Sequence, residues 1–331
     1  QLFLQQLMVF FGSSREVLGY ASVYTRIVSI GFPFVIVATG GGHLLRADGR
    51  PKLTMLCNLV GAVINTALDA LFVFGFQWGM AGAAWATILS QFLSAVLSLT
   101  VGMRRFEVLH LKKDDFANLG NAMTVHLKTG FPMGFQMSVM CIGQLAMQMV
   151  VNSLGTAAVA GYTAASKADQ LSVLVNNAMM TAISNYVAQN FGAGKKERIQ
   201  QGVRASLIQT ETFNLLMCVG ILLLRHPIVE LFMSSPTKEI YHYSDVYLTI
   251  VAPFYIVLGL LAVYRTAIQS MQNGWAPFAA CMIELVMRIS ATVGLVGMLG
   301  YTSVCIASPM AWFGACALLI PCYYRMMKAW K

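Results

Sequence analysis

The chain has 331 residues, 57% of them hydrophobic and only 11% charged, with a formal net charge of +9 and a mean hydropathy of +0.67. A soluble domain carries about 25% charged residues, so a water-soluble globular fold is excluded. A basic nucleic-acid-binding face is excluded as well, because the positive charge is confined to connections between apolar runs.

Those runs fall at 17–45, 53–75, 80–102, 123–151, 156–190, 203–224, 246–270, 276–299 and 302–324, preceded by a shorter one at 1–11. A spanning helix needs roughly 20 apolar residues, which each of the longer runs supplies. Backbone groups in lipid must be satisfied within the segment, and the alternating pattern of barrel strands is missing. The fold class is therefore all-α and polytopic. The opening stretch, LFLQQLMVFF, reads as the last turns of a helix rather than a signal peptide, so an N-terminally truncated chain is expected.

Basic residues collect in every second connection: Arg46, Arg50 and Lys52; Arg104, Arg105, Lys112 and Lys113; Lys195, Lys196, Arg198 and Arg204; then Arg325, Lys328 and Lys331 at the end. The connections at 76–79, 152–155 and 300–301 contain no Lys or Arg. This asymmetry predicts that the basic connections and the C-terminus face the cytoplasm, in a cytoplasmic membrane. The cysteines, from Cys57 to Cys322, and the histidines, from His43 to His242, are dispersed without ligand spacing, so neither a metal site nor a cofactor is expected.

An internal repeat runs through these elements. A shift of 223 positions lays LLRADGRPK on AIQSMQNGWAP, setting Arg46 on Gln269 and Asn65 on Arg288, while Pro33-Phe34 meets Pro253-Phe254 at a shift of 220. The shift spans an even number of crossings, so the copies share an orientation and are related by an axis along the membrane normal. The expected organisation is an incomplete N-terminal lobe at 1–102, a linker at 103–122 and a complete six-helix lobe at 123–331.

The stretches LRADGRPKLTMLCNLVGAVINTALDALFVFGFQWGMAGAAWAT, GFPMGFQ and NSLGTAAVAGYTAASKADQL, followed by VAQNFGAGKKERI, resemble the multidrug and toxic compound extrusion (MATE) transporters. That resemblance covers essentially the whole chain. It implies two pseudo-symmetric six-helix bundles, the first incomplete here, and secondary antiport in which small organic, often cationic, compounds leave in exchange for H+ or Na+. A monomer in the lipid bilayer, no nucleic-acid partner and no enzymatic activity go with it. The GAGK stretch reads as a helix C-cap and turn, since it lacks the spacing and terminal Ser/Thr of a phosphate loop.

Ionisable groups within the bilayer are the functional candidates, because each costs about 2.5–3.5 kcal/mol to insert. For ion coupling these are Glu284, Asp169 and Glu211, with Arg288, Arg265 and Lys167 as charge partners. Glu284 and Arg288 share a helix face four residues apart, and Arg265 competes for the same carboxylate from one helix earlier. Lys167 and Asp169 point to different faces. Gln136, Gln144, Gln148 and Asn152 are read as one stripe lining a substrate cavity, among flexible methionines. Asn65 and Asp69, again four apart, and Arg46 are read as structural. Some relatives place an acid where this chain has Met140, and the 246–270 run has no acid, so the coupling ion stays open between H+ and Na+. The alternative reading is a flippase for lipid-linked sugars from the same superfamily, favoured by the cations Arg26, Lys167, Arg265 and Arg288.

Overall fold

A computed structural model describes residues 15–105, 119–233 and 236–330. The run at 1–11, most of the 103–122 linker and Lys331 lie outside them. The described residues are nearly all helical and contain no strand. The chain divides into two compact units, residues 1–117 and 118–331.

In the first unit, α1 (Arg15–Ile30), α2 (Phe32–Ala47), α3 (Pro51–Ala70) and α4 (Gly79–Arg105) follow one another, with a π-helical turn, Leu71–Gly75, closing α3. The 17–45 run is not one straight helix: α1 and α2 meet at 54° across Gly31. Pro33, at the start of α2, cannot continue a hydrogen-bond ladder from α1, which places the bend. Helix α4 packs along α1, α2 and α3. It does so through small residues, with Ala84, Ala86, Ser90, Ala95 and Ser98 buried, as expected where close backbone approach replaces the hydrophobic drive between helices in lipid.

The second unit comprises α5 (Leu119–Ser153), α6 (Thr156–Gly192), α7 (Lys196–Phe232), α8 (Lys238–Val251), α9 (Tyr255–Ser270), α10 (Trp275–Gly294), the short α11 (Val296–Leu299) and α12 (Tyr301–Ala329). A 3-10 turn, Ala252–Phe254, containing Pro253, joins α8 to α9 within one span. Helix α9 is the centre of this unit. It contacts α6, α7 and α12, and Leu261 through Ile268 are all buried. The outward faces carry large exposed apolar side chains, among them Leu174, Leu216, Leu223 and Leu231, a lipid-facing surface.

Among the described residues, seven helices are long and apolar enough to cross a membrane, or eight counting the bent pair. Helix α6 is not among them, although the sequence run at 156–190 suggested a span like the others. Its length suffices, but Lys167, Asp169 and a row of asparagines dilute its apolarity.

Helix α6 ends as the GAGK reading expects. Gly194 takes φ +68°, and Lys195 N–H bonds the Asn190 carbonyl, closing the helix with a left-handed residue. Lys196 then donates to the Trp330 carbonyl, tying the start of α7 to the end of α12.

The repeat is visible in the backbone. Gly49 N–H bonds Arg46 O and Arg50 N–H bonds Leu45 O; 223 positions on, Gln272 N–H bonds Gln269 O and Asn273 N–H bonds Ile268 O. Gly49 has φ +83° and Gln272 φ +64°. Glycine adopts that conformation freely, whereas for glutamine it costs about 1–2 kcal/mol. Gln272 is exposed, so Gln272→Gly loses no packing. After the roughly 0.5–1 kcal/mol that glycine adds to unfolded-state entropy, it should stabilise the protein by about 0.5–1 kcal/mol. A higher melting temperature in detergent checks this, and an unchanged or lower one refutes it.

Candidate functional site

The buried charges of the second unit lie on helices around α9. Arg265, near the end of α9, reaches across to α10 and bonds Glu284 Oε1; their side chains are 8% and 6% exposed. The pair that forms is therefore Arg265–Glu284, not the within-helix Glu284–Arg288 pair that the i,i+4 spacing suggested. Arg288 instead turns toward α5, where Gly143 leaves room: a Cβ there would lie 3.4 Å from Arg288 Nη1 and Cδ. Arg288 is 9% exposed and its Nε has no hydrogen-bond partner.

Asp169 lies half-buried on α6, and its Oδ1 has no hydrogen-bond partner. The Tyr255 hydroxyl of α9 faces Asp169 and Ser172 without closing a hydrogen bond. Tyr162 lies close enough to Asp169 and to Arg288 for both charges to act on it. Lys167 is exposed, so the two-residue spacing does separate it from Asp169.

Glu211, on α7, faces α9 at Gly259, where any added Cβ would come within 2.7 Å of Glu211 Oε1. Neither carboxyl oxygen has a hydrogen-bond partner. One turn on, Asn214 is fully buried. Its Oδ1 accepts from Asn176 Nδ2 at 3.0 Å, and its Nδ2 donates to the Tyr255 carbonyl at 3.0 Å. These bonds hold α6, α7 and α9 together beside Glu211 and Asp169. Asn214 belongs to the polar patch around Glu211 that the sequence shows, whereas its partner Asn176 was not among the candidates. Its signal was available, since buried amides in apolar helices require partners and mark positions where helices meet.

The glutamine stripe does not hold together. Gln136 is 4% exposed and accepts from Gln269 Nε2 at 2.8 Å, whereas Gln144 and Asn152 are exposed and Gln148 donates to Asn152 Oδ1 at 2.8 Å. Eight residues rotate a helix about 80° beyond whole turns, enough to carry Gln136 to a different face. Gln136 is thus a packing contact between α5 and α9, while Gln144 and Asn152 are exposed and Gln148 is half-buried beside Asn152.

In the first unit, Arg46 and Asn65 line a polar cavity between α2, α3 and α4, and Asp69 is half-buried one turn beyond Asn65. Among the described residues, no three or more His, Cys, Asp or Glu side chains converge as a metal site would require. Cys57, Cys281, Cys305 and Cys316 are buried and free.

This architecture, two units of long apolar helices, the second with buried charges in its interior, is that of a polytopic transporter. The MatE family profile matches residues 1–71 and 132–293, and the chain belongs to that family. "Probable multidrug resistance protein YpnP" of Bacillus subtilis (strain 168) is 28% identical over 344 residues, 99% of this chain and 73% of its own length. The "FAD transporter" of Shewanella oneidensis is 21% identical over 299 residues, 88% of this chain and 66% of its own. Among solved structures, a MOP superfamily transporter from Pyrococcus furiosus superposes with a TM-score of 0.89 at 21% identity, over 99% of this chain and 74% of its own. An outward-facing multidrug resistance MATE family transporter superposes at 0.85 and 19% identity, over 98% and 73%. At such identities these likenesses establish the fold. The chain thus spans 66–74% of the length of these relatives.

Proposed function

We propose that this protein exports small organic compounds across a cytoplasmic membrane in exchange for H+ or Na+, with Asp169 and Glu211 as the ion-coupling carboxyls. The observation that carries the reading is that, inside the helix bundle of the second unit, Oδ1 of Asp169 and both carboxyl oxygens of Glu211 are buried without a geometrically formed hydrogen bond. Such a group is expensive in the bilayer, which favours a role in binding an exchangeable ion. Glu284, whose charge Arg265 already meets, belongs to the scaffold in this reading. The multidrug names of several relatives support an organic substrate. The placement of basic connections and the C-terminus in the cytoplasm rests on the positive-inside asymmetry, and one copy of the chain is the working unit.

The test is dye efflux from membrane vesicles containing the whole gene product, under an imposed H+ or Na+ gradient. Asp169→Asn and Glu211→Gln should each reduce gradient-driven efflux at least tenfold while leaving the protein folded and inserted. Wild-type efflux in both variants would sink the assignment. Lipid-linked sugar retained on the inner leaflet in a deletion strain, with unchanged drug tolerance, would replace export by the flippase reading.

A further inference from the structure

Arg288 of α10 is the buried charge to which the second unit supplies no partner. It is 9% exposed, and among the described residues its side chain forms no ion pair and donates no hydrogen bond. The carboxylate one turn away, Glu284, is held by Arg265, whose own charge acts on Arg288 as a second cation. These three side chains on α9 and α10 therefore carry two positive charges against one negative. A guanidinium keeps its proton inside proteins, so the deficit is one counter-charge.

The backbone makes room for it. Helices α5 and α10 meet along a seven-residue spacing: Cys281 Sγ donates to the Gln136 carbonyl at 3.5 Å, and seven positions on along both helices Arg288 lies over Gly143. The same charge reaches Tyr162 of α6 and Tyr247 of α8, whose rings stand edge to face with centroids 5.3 Å apart. Among the described residues, neither hydroxyl is engaged in a hydrogen bond. Tyr247 is buried and Tyr162 half-buried, so Tyr162 is the more accessible side of the group.

A cation here would meet two guanidiniums, and a neutral solute would leave Arg288 unmatched. A carboxylate brings one negative charge and two oxygens in the planar geometry that a guanidinium fork prefers. It can also accept from both phenol hydroxyls, having about four lone-pair sites. A phosphate monoester brings close to two charges, more than the deficit. The two tyrosine rings, with Leu285 and Cys281 nearby, favour an apolar, ring-bearing body on the same molecule.

We propose that Arg288, Tyr162 and Tyr247 form a binding site for an aromatic monocarboxylate, with Arg288 forked onto the carboxylate and the two hydroxyls donating to it. This deepens the export reading, on which it rests for calling the ligand a substrate, and it names an anion where the family resemblance implies mostly cations. The two fail separately. Gradient-driven dye efflux without carboxylate binding sinks the site alone, and carboxylate binding without any gradient-driven efflux sinks export alone.

Isothermal titration of the whole gene product in nanodiscs, with empty nanodiscs as blank, tests the site. Benzoate, phenyl phosphate, benzamide and benzyltrimethylammonium keep the ring and vary the charge. Saturable benzoate binding is expected, with the other three weaker and benzyltrimethylammonium at least tenfold so. Arg288→Gln should weaken benzoate at least tenfold without lowering the melting temperature, because it removes a charge that has no partner. The double variant Tyr162→Phe with Tyr247→Phe keeps the charge and both rings, and should weaken benzoate at least threefold. Arg325→Gln, on the exposed end of α12, should leave it unchanged. No saturable benzoate binding, phenyl phosphate or benzyltrimethylammonium binding as tight as benzoate, or full affinity in either the Arg288 or the double tyrosine variant overturns the proposal.

Discussion

Glu284→Leu should destabilise the protein by about 3–5 kcal/mol, more than any change to its partner Arg265. Removing one member of a buried pair leaves an uncompensated charge, which sets that scale. The asymmetry comes from Arg288. It lies one helical turn from Glu284 and close enough to Arg265 for their charges to act on each other. Without Glu284, two buried guanidiniums remain with no carboxylate between them. Without Arg265, Arg288 can turn back to Glu284 along the i,i+4 direction, so Arg265→Met should cost only about half as much. The double variant Glu284→Leu with Arg265→Met should recover part of the loss, because a buried pair exchanged for apolar side chains is often close to neutral. Thermal unfolding in detergent measures all three. Equal losses for the two single variants would mean that Arg288 does not share the carboxylate.

The second large effect is steric. Gly161 on α6 faces α8 so closely that a Cβ would lie 2.6 Å from Tyr243 Cβ, 2.9 Å from the Ile240 carbonyl oxygen and 3.2 Å from the Ser244 nitrogen. Two of these atoms are backbone and cannot rotate aside, so α6 and α8 must separate. Gly161→Ala should cost about 2–3 kcal/mol, the upper range for overpacking, and Gly161→Leu should abolish a monodisperse folded species. Gly220→Ala is the matched control. Nothing lies within 4 Å of its added methyl, so it should gain about 0.5–1 kcal/mol through helix propensity alone. Size-exclusion profiles and melting temperatures separate the two. A mild Gly161→Ala would mean that the helices slide past one another instead of locking.

Much of the fold was legible because its signals are local. Apolar length, basic connections and proline-glycine punctuation marked the helices and the turn at GAGK without any knowledge of packing. Two features were not legible in this way. The bend at Gly31 needs the geometry of Pro33 against the preceding turn, and hydropathy averages across it. The reduced apolarity of α6 reflects a helix that meets both α7 and α9 through polar groups, which a run of alanines conceals.

The site was legible as a set of residues but not as a set of contacts. Glu284, Arg265 and Arg288 stood out because charge in an apolar helix is rare. Their pairing depended on Gly143 opening a space on a different helix, which no spacing rule encodes. Gln136 was grouped with Gln144 and Gln148 by periodicity, yet a partner 133 positions away claims it. Asn176 and Tyr255 were passed over because each looks ordinary alone and becomes significant only where three helices cross.

The shared turn at Gly49 and Gln272 reaches further than a repaired strain. Side chains in the two halves have diverged until Arg46 answers to Gln269 and Asn65 to Arg288, but the left-handed residue, its own hydrogen bond and that of the residue after it have stayed in register. Gln77 and Gly300, also 223 positions apart, take φ +56° and +54° and repeat the agreement with the residue types exchanged. Backbone handedness has therefore outlasted chemistry as the record of common ancestry. Each half retains a ruler of membrane depth against which polar residues gained by one copy and lost by the other can be measured.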